Sequence, residues 1–166
     1  MTEDRPVLIV SLTPLQTFFL TTGGLLVFVQ WVFLFRDYGG LPGIVPSHYN
    51  AHGEVDGNAN KSTLFLLPAI TTLLFVLMII LYRFPHMMNY PIKVTPENAK
   101  NLYRLSIDLV CYMAFALSAT MFYLTYQTIR VAQGYAVGLG AWSVLFFLGL
   151  IFVPMVYVII RMFKMK

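Results

Sequence analysis

Four runs of apolar residues, each about twenty long and separated by polar stretches, constrain this chain more than any other feature. A helix of about 20 apolar residues crosses roughly 30 Å of hydrocarbon. The first run extends from Pro14 to about Phe35 and the second from Thr63 to Tyr82. The third covers about Leu105 to Ile129, and the fourth about Leu139 to Ile160. With no water in a bilayer core, each must satisfy its own backbone groups, which predicts helices. Composition agrees: 58% of the 166 residues are hydrophobic and 11% charged. A soluble domain carries about 25% charged residues, so this chain could not cover a water-facing surface. Its hydrophobicity also excludes a disordered tail. A single cysteine excludes a disulfide framework or a cysteine-cluster zinc site within one chain. The net charge of +4 contains no basic block, so nucleic acid is not an expected partner. The expected fold is an all-α membrane protein in one domain over 1–166. It is an antiparallel four-transmembrane-helix bundle with a long outward-facing loop between helices 1 and 2.

Local signals support these spans. Thr13, Pro14 and Gln16 read as an N-cap, a first-turn proline and a capping-box partner. Thr95-Pro96-Glu97 repeats the signal, so the third helix is expected to extend back to 96. Pro68 and Pro154 fall inside helices two and four and are expected to kink them, because proline removes a backbone donor. The stretch before the first run does not resemble a removable signal peptide.

Basic residues set the orientation. Arg5, Arg83, Lys93, Lys100, Arg104, Arg161, Lys164 and Lys166 would share one side, eight of the eleven, leaving Arg36, Lys61 and Arg130 on the other. The positive-inside bias then puts both termini and the 83–104 loop of this multi-pass protein in the cytoplasm. Pro6 to Leu12 and Pro91 to Thr95 are rich in Val and Ile. They either pair as a two-stranded ribbon or lie as extended linkers in the headgroups.

The 37–62 loop concentrates the polar chemistry, with His48, His52, Glu54 and Asp56 among seven turn-favouring Gly and Pro residues. A connection this long without obvious regular structure is usually functional or disordered. Leu41-Pro42, Val45-Pro46, His48, Asn50, Gly53, Asp56 and Lys61 resemble the pattern L-P-x-x-I-P-x-H-x-N-x-x-G-x-x-D-x-x-x-x-K. That pattern marks a widespread bacterial membrane domain of unknown function. It also opens the SdpI-like immunity proteins that protect cells against the sporulation-delaying-protein toxin. Asn89-Tyr90-Pro91, Thr95, Glu97-Asn98 and Tyr103-Arg104 are similar to a second block of such proteins. Together the resemblance spans roughly residues 14–105. It implies a binding protein whose outer loop and bundle mouth engage a lipid, a peptide or a partner membrane protein, with an immunity-like role among the possibilities.

Several constellations carry alternative chemistry. His48, His52 and Asp56 are spaced by four, so a helix would put them on one face, where imidazole plus carboxylate suits a divalent metal. Gly53 and Gly57 argue against that helix. The competing reading is a hydrogen-bonded lid organised by His48, Asn50 and Asp56, with Asp56 pairing to Lys61 or capping helix two. The H-x-x-x-H order lacks the glutamate of a metalloprotease helix, since Tyr49 follows His48. No cofactor motif is present, so an enzyme is not the first expectation. A metal-binding membrane enzyme or redox subunit, or an accessory subunit of a larger complex, stands as the alternative.

Within the third helix, Asp108, Tyr112, Phe115, Ala119, Tyr123, Tyr126 and Arg130 fall within roughly 80° of one another. They form either a polar seam for a ligand head group or protons, or a set of interhelical hydrogen bonds with an interfacial aromatic belt. Thr17, Thr21 and Gly24 share a face suited to close helix packing, and Gln30 lies deeper. Gly134 and Gly138 carry a weak G-x-x-x-G dimer signal at the expected start of helix four. Cys111 is expected to be buried and inert. Pro85-His86-Met87-Met88 reads as a surface loop, with soft copper(I) ligation as the alternative.

Overall fold

A computed structural model describes residues 5–165, which leaves Lys166, one of the eight basic residues counted on the terminal side, outside the described residues. Helix α1 covers Pro14–Tyr38, α2 Leu66–Leu81, α3 Ala99–Ala132 and α4 Ser143–Phe163. Strands β1 (Ile44–Tyr49) and β2 (Val55–Asn60) form an antiparallel pair between α1 and α2. One-turn helices precede α2 at Lys61–Phe65 and follow it at Pro85–Met87. Four helices among the described residues are long and apolar enough to cross a membrane, as fits a small membrane protein.

The start of α1 is closed as its sequence predicts. Thr13 Oγ1 accepts the Gln16 amide, and the Thr13 amide donates to Gln16 Oε1 at 2.7 Å. At α3 the reciprocal box forms with Asn98 instead of Glu97: the Thr95 amide donates to Asn98 Oδ1, and the Asn98 amide to Thr95 Oγ1. The Thr95 hydroxyl instead donates to Glu97 and holds that carboxyl below its ordinary range. Helix α3 therefore begins at Ala99, ahead of its predicted apolar span but three residues after 96. Pro68 is third in α2, directly after the one-turn helix Lys61–Phe65.

Helix α3 packs against α1, α2 and α4, and α1 also touches α2. Gln16, Gly23, Val27, Gln30 and Leu34 form the buried face of α1, spaced seven, four, three and four apart. The small residue at the contact is Gly23, where an added Cβ would meet the Phe75 ring and the backbone at Ala114 and Phe115. Thr17 and Thr21 are exposed, and Thr21 spends its hydroxyl on its own helix, so of the expected Thr17/Thr21/Gly24 face it is Gly24 that packs, against the Phe75 ring.

Two apolar clusters lie at the helix ends. In one, Leu34, Leu41, Val45, Leu64 and Ile129 join α1, the hairpin, the start of α2 and the end of α3. In the other, Val94, Ala99, Leu102, Tyr103, Val158 and Met162 join α3 and α4, with Leu8, Val10, Tyr90 and Ile92 packed around them. The 6–12 and 91–95 stretches meet there as extended chain without strand pairing, so no ribbon forms. Two prolines, Pro6 and Pro91, each remove an amide that a ladder would need. Tyr90 anchors this end. Its hydroxyl donates to Pro85 O at 2.8 Å and lies 2.9 Å from Ser106 Oγ, and burial pushes the phenol up to about 12.

Candidate functional site

The loop predicted to lack regular structure is a hairpin, and its polar residues are arranged by strand geometry. His48 lies on β1 and Asp56 on β2, with His48 Nδ1 2.6 Å from Asp56 Oδ1. The strand register slips on both sides of His48, which sits opposite Gly57. A Cβ at 57 would fall 2.9 Å from His48 Cβ, so glycine there lets the imidazole lie across the strand toward Asp56. Asn50 builds the turn: its Oδ1 accepts the amides of His52 and Glu54, and its Nδ2 donates to Glu54 Oε2 at 2.8 Å. Gly53 completes the turn at φ +77°.

The hairpin is docked at several points. Gly53 O accepts the Leu139 amide at 2.7 Å, and Glu54 pairs with Gly138 as an antiparallel bridge. Gly138 therefore serves close backbone approach in the α3–α4 connection, not a helix-dimer motif, and α4 starts only at Ser143. Tyr49 donates to Thr128 Oγ1 of α3 at 3.0 Å, and burial raises its phenol above the ordinary range. Lys61 does not pair with Asp56. Its Nζ donates to the carbonyls of Tyr38 and Leu41 and lies 4.7 Å from the Tyr38 ring centre. The cap before α2 is Asn60, whose side chain accepts the Ser62 amide.

His48, Asn50, Gly53 and Asp56 are thus brought into one hairpin, with Lys61 as its internal clamp. His52 shares no helical face with His48, because the chain is extended at one and turning at the other. Among the described residues no three His, Cys, Asp or Glu side chains are grouped so as to hold a metal ion. Beneath the hairpin a cleft of about 530 Å³ opens between β1, the start of α2 and α3. His48, Tyr49 and Thr128 supply its polar edge, and Leu64, Leu67, Ile70 and Leu124 its apolar walls.

The residues of the α3 stripe diverge in their partners. Asp108 Oδ1 accepts Gln16 Nε2 from α1 at 2.5 Å. Tyr112 donates to Leu150 O of α4 and Tyr123 to Leu139 O, each at 2.8 Å. Tyr126 packs edge-on against Phe33, and the Arg130 guanidinium lies 4.8 Å from the Tyr135 ring centre. The Tyr112 bond answers a specific defect. Pro154 has no amide to give the carbonyl four residues back, which is Leu150, and the phenol supplies that donor. Gln30, buried and donating to Thr125 Oγ1 at 2.8 Å, and Gln127, donating to Gly138 O, add further polar contacts. Cys111 is buried. The Pro85-His86-Met87-Met88 run forms a surface turn whose carbonyls at 86 and 88 accept Arg5.

Residues 25–72 match the domain of unknown function DUF1648. The matched DUF1648 stretch runs from the middle of α1, through the whole hairpin, into α2. It contains the His48–Asp56 pair, the Asn50–Gly53 turn and the Lys61 clamp, and it covers under a third of the chain. No curated protein and no solved structure matches this chain.

Proposed function

We propose that this chain is a small integral membrane binding protein of the bacterial inner membrane. Its four helices form an antiparallel bundle with both termini cytoplasmic, and the hairpin closes the outer mouth. The cleft under that hairpin takes a ligand with an apolar body and one polar group, either a lipid or the side chains of a membrane-active peptide. The observation that carries the reading is the cleft itself: apolar walls on α2 and α3, with His48 and Tyr49 at its edge. Ligand pockets combine an apolar lining with a few placed polar groups in this way. The side chains of His48 and Asp56 are 72% and 42% exposed, so the pair remains open to a ligand's polar group. The resemblance to toxin-immunity proteins supports a peptide as the natural ligand.

Photocrosslinking in cells tests the proposal. A photoreactive residue at Thr63, in the cleft, should yield one recurring adduct mass, whereas the same residue at Leu145, on the exposed face of α4, should yield scattered lipid adducts. His48→Ala should remove the discrete adduct while membrane insertion is unchanged. Identical scattered adducts at Thr63 and Leu145 would contradict a specific cleft ligand.

A further inference from the structure

The opposite end of the molecule carries a second cavity, of about 700 Å³, between the extended stretch Leu8–Pro14 and the start of α3. Lys100 and Arg104 line it from α3, one helical turn apart, and no carboxylate does. Both side chains are exposed, and neither makes an ion pair among the described residues. Glu97, three residues before Lys100, is engaged by the Thr95 hydroxyl, and Asp108, four after Arg104, by the Gln16 side-chain amide. Ser11 and Thr13, each with a hydroxyl, line the same space. Thr13 Oγ1 already accepts the Gln16 amide, which leaves its proton to donate outward. Two cations and two hydroxyl donors without an acid form a cradle for a phosphate group.

The surroundings favour a lipid as the source of that phosphate. Leu8, Ile9, Val10 and Leu12 give the cavity its apolar lining, and Val7 and Ile9 are 72% and 101% exposed. An extended segment with apolar residues turned outward, joined directly to the first turn of α1, is suited to lie in the headgroup region. Clustered basic residues at a helix's membrane boundary attract anionic lipid, which is enriched in the cytoplasmic leaflet. We infer that Lys100, Arg104, Ser11 and Thr13 bind the phosphate of an anionic phospholipid, with its glycerol and upper chain against Leu8, Val10 and Leu12. This site is independent of the hairpin cleft.

Native mass spectrometry of the full chain in mild detergent provides the test, using short-chain phosphatidylglycerol, phosphatidylcholine and inorganic phosphate as probes. Phosphatidylglycerol should bind in preference to phosphatidylcholine, and millimolar inorganic phosphate should displace it only weakly. Lys100→Gln with Arg104→Gln should weaken phosphatidylglycerol binding by about thirtyfold. Lys164→Gln, a basic residue outside the cavity, should change it less than about twofold, within the range expected of a screened surface charge. The charge-conserving Lys100→Arg with Arg104→Lys should retain binding, which separates charge from folding. Equal loss in Lys164→Gln, or no loss in the double variant, overturns the site. Binding of inorganic phosphate without any of phosphatidylglycerol overturns the lipid assignment.

Discussion

At the scale of single residues, the hairpin depends on two glycines for different physical reasons. Gly53 has a left-handed backbone, and a Cβ there would sit 2.6 Å from Gly140 O. Gly57 has no such strain and is required only because His48 lies across it. Gly53→Ala should destabilise the docked hairpin by about 1–3 kcal/mol through strain and overlap, read as faster hydrogen exchange over residues 44–60. Gly57→Ala should act mainly on the position of His48, so its defect should appear in ligand capture. Removing His48 or Asp56 themselves should cost less than about 1 kcal/mol of stability, since the pair is exposed. Thermal unfolding in detergent checks that ranking, and a large loss in His48→Ala would assign the pair to structure. Tyr90 behaves differently with pH. Its phenol is raised from the ordinary value near 10 to about 12, so its contribution is complete below pH 10 and disappears as pH rises from about 10 toward about 12. Tyr90→Phe should flatten the stability profile in that window.

At the scale of elements, the clearest unit is Tyr112 with Pro154. If the phenol replaces the amide that proline lacks, the two positions are energetically coupled. Tyr112→Phe should cost about 0.6–2 kcal/mol in the parent chain and close to nothing when combined with Pro154→Ala. Additive costs in that double-mutant cycle would refute the coupling. The same pair illustrates what is legible in the sequence. Periodicity places Tyr112 and Tyr123 on one face, but it does not say which carbonyl each phenol meets, because that depends on the height of α4. Helix spans are readable because about twenty apolar residues admit one backbone solution in a bilayer. The hairpin is not. Val55–Asn60 reads VDGNAN, a poor strand by composition, and it forms through pairing with β1 beside a turn that docks on Gly138 and Leu139 through Glu54 and Gly53. His48 and Asp56 are legible as a cluster; their contact arises from strand register, where a helical spacing was the simpler expectation.

At the scale of the whole molecule, the exposed faces of α1, α2 and α4 carry Phe28, Phe35, Leu73, Leu77, Phe146 and Val153, while the bonds of Gln16, Gln30 and Tyr112 join α1 and α4 to α3 and that of Trp31 joins α1 to α2. Lipid is the natural solvent for the first set and the helix interior for the second. Topology follows as a prediction. An exposed cysteine in place of Asn58, on β2, should react with an impermeant maleimide on intact cells, and one in place of Met87 only after permeabilisation. The reverse pattern would invert the orientation. The most direct measurement of the central reading is the mass of ligand retained by purified protein before and after the cleft is filled. Leu67→Trp places an indole in the α2 wall of the cleft and leaves His48 and Asp56 themselves in the sequence. Native mass spectrometry should find a discrete bound species on the parent chain and none on Leu67→Trp at equal folded yield; the same bound species on both would contradict ligand capture beneath the hairpin.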